Sequence, residues 1–141
     1  MVSYSAECFE RPLVSIAFPT MNRLDSLKKT LTSILKEMDE IGDYEIVVVD
    51  GQSSDGTPEY LQGLPNVRIL TETELKGTVS AFDIALRAAK GEWVCWLNDD
   101  IEVMPGAFKH MLAFMTDPEN SDVGMGAFTN SRSGKELNTF V

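Results

Sequence analysis

The stretch Glu92 to Asp100, EWVCWLNDD, sets the fold expectation for this chain. Trp93, Val94, Cys95, Trp96 and Leu97 form an unbroken apolar run. A short run of this kind, rich in residues that suit a pleated sheet, predicts a strand buried on both faces. Gly91 immediately before it fits a helix stop. Asn98, Asp99 and Asp100 follow directly. Carboxylates at the C-terminal end of a strand place hard oxygens where open α/β sheets bind ligands. Such oxygens suit Mg²⁺ or Mn²⁺. Asn and Asp are also common turn residues, and on this stretch alone a solvated turn is the favoured reading.

Working outward, the flanks shift that balance. Thr78 to Lys90 carries Ala81, Phe82, Ala85, Leu86 and Ala89 at helical spacing. Before it, Glu72 to Gly77 reads as a loop and Val67 to Leu70 as a strand. Thr57 and Pro58 mark a helix start, with Thr57 as N-cap and Pro58 in the first turn; Gly63 and Pro65 end it. Tyr44 to Asp50, YEIVVVD, is a second buried strand ending on a carboxylate. Leu24, Leu27, Leu31, Ile34, Leu35 and Met38 form the buried stripe of an amphipathic helix, closed by Gly42. Leu13 to Phe18 reads as the first strand, stopped by Pro19. On the other side, Pro105 opens a helix bearing Phe108, Met111, Leu112 and Met115, and Val123 to Phe128 reads as a further strand. Met1 to Pro12 reads as a loose arm. Strands alternating with helices imply an α/β fold with a mainly parallel sheet and helices on both faces. The 141 residues show no internal linker and are expected to form a single domain.

Composition narrows the function. Apolar residues make up 43% of the chain, which disfavours disorder. The net charge of −10 and the absence of a basic cluster disfavour nucleic acid as a partner. No apolar run approaches the ~20 residues of a membrane-spanning helix. The N-terminus has no basic region leading into an apolar core, so it does not read as a secretory signal. Cys8 and Cys95 are expected to be reduced thiols, fitting a cytoplasmic location. His110 reads as a surface residue, and one histidine with two separated cysteines argues against a zinc site. No GxxxxGK[ST] stretch occurs, and Gly124-Met125-Gly126 lacks the third glycine and following helix of a dinucleotide fingerprint.

Polar and acidic residues gather after three strands: Thr20, Asn22 and Arg23; Asp50 through Asp55; and Asn98 through Asp100. In a parallel sheet these ends share one side, where a crevice would offer a carboxylate to a base or ribose and oxygen ligands for a metal on a diphosphate. At this point the spacing resembles that of the inverting family 2 glycosyltransferases with the GT-A fold, a Rossmann-like α/β architecture. VSIAFPTMNR is similar to their first strand and loop, and EIVVVDGQSSDGTPEYL to their second strand with its nucleotide-binding aspartate. KGTVSAFDIALRAAKGEWVCWLNDDIEVMPGAF is similar to the segment that runs into their metal motif.

The resemblance implies roles by position. Pro19, Thr20, Asn22 and Arg23 would line the nucleotide pocket. Asp50 would accept a hydrogen bond from the base, with Gln52 and Ser53 beside it. Lys76 and Gly77 would approach the nucleotide or its phosphates. Asn98 and Asp99 would also face the nucleotide, and Asp100 with Asn98 would hold Mg²⁺ or Mn²⁺. The metal would offset charge on the departing diphosphate while the sugar carbon passes through an oxocarbenium-like state. The implied partner is a UDP-, GDP- or TDP-sugar, with an acceptor that could lie at the inner membrane face. Three residues depart from the common pattern: Asn98 for Asp, Gln52 for a small residue, and Asp83 for Asn. The family's acceptor-binding half and catalytic base are not matched by any residue up to Val141, so the chain reads as the donor-binding portion alone. A non-catalytic nucleotide-sugar-binding or assembly module is the alternative, and a homo-oligomer covering an exposed sheet edge is expected. Asp117, Glu119 and Asp122 read as solvated. A nucleotidyltransferase is disfavoured by the lack of a basic, Gly-rich N-terminal loop.

Overall fold

The computed structural model describes residues 11–128. They form two compact units divided between Val103 and Met104. The first holds a four-stranded parallel sheet in the order β3-β2-β1-β4. Its elements in chain order are β1 (Val14–Thr20), α1 (Leu24–Ile41), β2 (Tyr44–Asp50), α2 (Thr57–Gln62), β3 (Val67–Thr71), α3 (Thr78–Ala88) and β4 (Trp93–Trp96). The second unit carries α4 (Ala107–Met115) and a 3₁₀ turn at Pro118–Asn120.

The two central strands are buried on both faces, as their largely apolar sequences require. Ala17, Val47 and Val49 pack on Ala81 and Ala85 of α3. Ile16, Phe18, Ile46 and Val48 point to the other face and are fully buried too. Helix α1 turns Leu27, Leu31, Ile34 and Met38 inward with no exposed area. Burying each such side chain contributes about 1.5–3 kcal/mol. The helix also grips the chain after β4: Thr30 Oγ1 donates to Ile101 O at 2.7 Å, and Val103 N donates to Ser33 Oγ at 3.0 Å. It ends at Gly42, whose φ of 76° lets its N–H reach Met38 O at 2.8 Å.

Several expectations need correction. The EWVCW stretch is not buried on both faces. It forms the edge strand β4, with Val94 46% and Trp96 61% exposed. Register pairs Ala17 with Trp96, so Trp96 shares the face that α3 covers, but α3 lies mainly over β1 and β2. Pro19 does not end β1. The strand runs on to Thr20, paired with Asp50. A proline is tolerated there because β4 pairs β1 as far as Ala17, so no described strand faces the side of Pro19 where an N–H is missing. Gly91 is not a helix stop: α3 already ends at Ala88. A Cβ on Gly91 would sit 2.5 Å from Ser15 N, so only glycine lets the chain enter β4 beside β1. Thr57 is not a capping side chain. Gly56 holds the N-cap position, and Asp55 Oδ1 accepts the Thr57 N–H at 3.1 Å. Residues 123–128 are irregular rather than a strand. Gly124 and Gly126 weaken a pleated conformation, and no described strand pairs with them. His110, Asp117, Glu119 and Asp122 are exposed, as expected. Cys8 and most of the N-terminal arm lie outside the described residues.

Candidate functional site

Strand order reverses at β1, since β2 and β3 lie to one side and β4 to the other. The β1–β4 ladder stops at Ala17, and the carboxyl ends of the strands beside such a reversal are where open α/β sheets take ligands. Thr20, at the end of β1, meets Asp99 at the same register offset: its Oγ1 donates to Asp99 Oδ2 at 2.8 Å. Arg23 closes the other side. Its Nη1 lies 3.0 Å from Asp99 Oδ1 and its Nη2 3.2 Å from Asp100 Oδ2. Ser26 Oγ donates to Asp99 O at 3.2 Å. The two carboxylates differ in setting. The Asp99 side chain is only 8% exposed and both oxygens are engaged, whereas the Asp100 side chain is 44% exposed and only Oδ2 is engaged among the described residues.

A second network joins this one through β2. Thr20 and Asp50 are register partners, so their side chains leave the same face of the sheet, and Gly51 N donates to Thr20 O at 2.9 Å. Asp50 is buried, and both its oxygens accept from Ser53 N, at 3.3 and 3.1 Å. Ser53 Oγ accepts the Asn22 N–H, and Asn22 Oδ1 accepts the Ser54 N–H, each at 2.8 Å. Asn22 and Gln52 sit at φ of 50° and 59°, a left-handed conformation uncommon outside glycine and stabilised here by these bonds. Gln52 Nε2 donates to Glu72 O at 3.0 Å.

Sequence reasoning missed Glu72 and Ser26, and placed Asp55 at the rim without its capping role. Glu72 follows β3, in a stretch whose residue types predict only a loop. Its N–H donates to Asp50 O at 3.0 Å, and its Oε1 is buried with no partner among the described residues. The available signal was one more acidic residue directly after a parallel strand. Asp55 caps two helices at once: Oδ2 accepts Leu24 N at 2.9 Å at the start of α1, and Oδ1 accepts Thr57 N. The Leu24 N–H holds its carboxyl below the ordinary value of 3.8. Other expected residues stand apart. Lys76 pairs with Glu74, at 3.2 Å, on an exposed loop. Gly77 sits at φ 91° before α3, and Asn98 is exposed. An open recess of about 390 Å³ is lined by Asn22, Arg23, Ser26 and Asp55 among others.

Mg²⁺ and Mn²⁺ commonly take one or two carboxylates and fill the remaining positions with phosphate oxygens and water. The donor set fits that mode. Asp100 is exposed with one oxygen to spare, and Asn98 is exposed beside it. It does not fit an all-protein cage, because no cluster of three or more His, Cys, Asp or Glu side chains occurs among the described residues.

The parallel sheet and its acidic carboxyl-end rim define the class: a GT-A-type α/β fold. A mannosyltransferase from Pyrobaculum calidifontis, solved in complex with GDP-Man and Mn²⁺, superposes with a TM-score of 0.64 at 30% identity, covering 77% of this chain and 33% of that one. S. aureus TarS 1-349 in complex with UDP-GlcNAc gives a TM-score of 0.64 at 28% identity, over 72% of this chain and 30% of that one. The model of glycosyl transferase family 2 matches residues 15–139, and the chain belongs to that family. Among its relatives is the putative teichuronic acid biosynthesis glycosyltransferase TuaG of Bacillus subtilis, 27% identical over 93% of this chain and 53% of the relative. Another is the GalNAc(5)-diNAcBac-PP-undecaprenol beta-1,3-glucosyltransferase of Campylobacter jejuni, 34% identical over 72% of this chain and 34% of the relative. The chain thus spans about half the length, or less, of these relatives. No described helix is long and apolar enough to cross a membrane.

Proposed function

We propose that this chain binds a nucleotide diphosphate sugar together with a divalent cation at the C-terminal rim of its sheet, as the donor-binding part of a glycosyltransferase. The observation that carries the reading is the convergence of Thr20, Arg23, Asp99 and Asp100 beside Asp50, from three strand ends. Asp50, its carboxylate oriented by Ser53 N, accepts a base N–H, and the unpartnered Glu72 Oε1 offers a second acceptor nearby. Asp100, with Asn98, would hold Mg²⁺ or Mn²⁺. When bound, the ion neutralises charge that develops on the departing diphosphate. Arg23 supplies a cation on the same side. Similar proteins solved with GDP-Man and Mn²⁺ and with UDP-GlcNAc support this donor chemistry. The acceptor is a saccharide of the kind named for the Campylobacter relative, carried on a polyprenyl diphosphate, which would bring the protein to a membrane surface from the cytoplasm. The free thiol of Cys95 suits that reducing compartment.

Calorimetry with UDP-, GDP- and TDP-sugars in the presence of Mn²⁺ tests the reading. One donor class gives binding heat that Asp100→Ala removes; no heat with any donor contradicts it. A second reading, a nucleotide-sugar-binding assembly module without turnover, is favoured by the β4 edge, unpaired among the described strands, where Val94 and Trp96 stand exposed. Such an edge is a template for pairing with a second copy. Sedimentation velocity then shows a dimer, and a monomer at high concentration counts against it.

A further inference from the structure

The N-terminus of α1 breaks a general rule. The N-cap position favours Asp, Asn, Ser or Thr, and the helix macrodipole disfavours a cation there. Yet Arg23 is the N-cap and makes no side-chain capping bond. The free Leu24 N–H is instead satisfied from outside, by Asp55. Handing the cap to Asp55 leaves the Arg23 guanidinium to bridge Asp99 and Asp100. A local rule broken with compensation at hand marks a functional position. The Arg23 side chain is 51% exposed, so water and ions compete for it readily.

We propose that Arg23 is a built-in counter-ion that competes with the divalent cation for Asp100 and is drawn off by the nucleotide diphosphate. Without nucleotide, the single positive charge of Arg23 partly neutralises the two adjacent carboxylates and weakens cation binding. When a diphosphate arrives, its oxygens offer the guanidinium a bidentate partner in place of its single contact to Asp100. Asp100 is then released to the cation, and the two ligands bind cooperatively although each alone binds weakly. Coupling of this kind is reciprocal and commonly amounts to about 5–150-fold. The inference rests on the proposed donor site.

The test is titration of the full chain with Mn²⁺, followed by the EPR signal of the free ion, with and without UDP or GDP. The variants are Arg23→Gln, Arg23→Lys and Asp100→Asn. Arg23→Gln binds Mn²⁺ alone about tenfold more tightly than the wild type, and the gain from added nucleotide shrinks by a similar factor. Arg23→Lys keeps the charge without the planar fork and falls between the two. Circular dichroism checks that each variant is folded. Unchanged or weaker Mn²⁺ binding in both Arg23 variants, with Asp100→Asn still abolishing it, overturns the counter-ion and leaves the donor site standing. Mn²⁺ binding that ignores Asp100→Asn in the presence of either nucleotide overturns both.

Discussion

The sheet carries an arginine–carboxylate cluster at each end, and the two are built differently. At the amino end, Glu45 accepts from Ser15 Oγ and Lys90 N, each at 2.6 Å, and pairs with Arg68 at 3.0 Å. Arg68 also donates to Ala88 O, and Gly91 N donates to Ser15 Oγ at 2.7 Å. Here the side chains are 10% and 13% exposed, and both carboxylate oxygens are taken by groups that fix where α3 ends and β4 begins. At the carboxyl end the same chemistry is left half open. Asp99 is buried and bonded, but Asp100 and the arginine that bridges them face water. A closed cluster tolerates no exchange of partners, whereas an open one can trade an arginine for an incoming ligand. The first is built for stability and the second for binding.

That contrast can be broken by mutation, beginning with the largest expected effect. Arg68→Ala strands a buried carboxylate and should cost about 3–5 kcal/mol of stability in denaturant unfolding. The measured ligand affinity of the folded fraction should stay unchanged. Thr20→Val removes a donor from the buried Asp99 and should cost about 1–3 kcal/mol. Because this bond lies at the open end, it should also weaken nucleotide-sugar binding, read by calorimetry. Arg23→Gln should cost less than about 1 kcal/mol, since its ion pairs are exposed.

Two smaller effects sharpen the picture. Asp55 has a depressed pKa, so its contribution is fully present above its ordinary value of 3.8 and is lost as pH falls through the lower folded value. Asp55→Ala should therefore lower the melting temperature at pH 7, and the gap to the wild type should close as the solution is acidified below that value. Burial pushes the Cys95 thiol up to about 12. At pH 8 it is a protonated thiol, and peptide mapping should find it alkylated only after denaturation.

Much of this was legible in the sequence because the central strands obey simple rules. IVVV is a continuous apolar run, VSIAF is broken only by Ser15, and the leucine stripe of α1 has one period, so these elements appear as expected. The EWVCW run misled because apolar content reports intrinsic preference, not position in the sheet. Nothing local says that β4 pairs on one side only among the described strands. The loop Thr20–Arg23 and the Asn98–Asp100 segment could be nominated from their residue types and the family resemblance. The contacts between them could not, because they depend on the β1–β4 register, which residue types do not give: the offset that pairs Ala17 with Trp96 sets Thr20 beside Asp99. Glu72 was missed for the opposite reason: it looks like one of several loop acids, and only burial sets it apart.

The most direct measurement is the ligand-induced shift in melting temperature, with a nucleotide sugar and Mn²⁺, for the wild type, Arg68→Ala and Asp100→Asn. Specific binding to the folded state raises the melting temperature by mass action. Arg68→Ala should melt lower without ligand yet keep the full upward shift, whereas Asp100→Asn should melt like the wild type and show none. A shift that survives in Asp100→Asn, or disappears in Arg68→Ala while that protein is folded, contradicts the division between a closed end and a binding end.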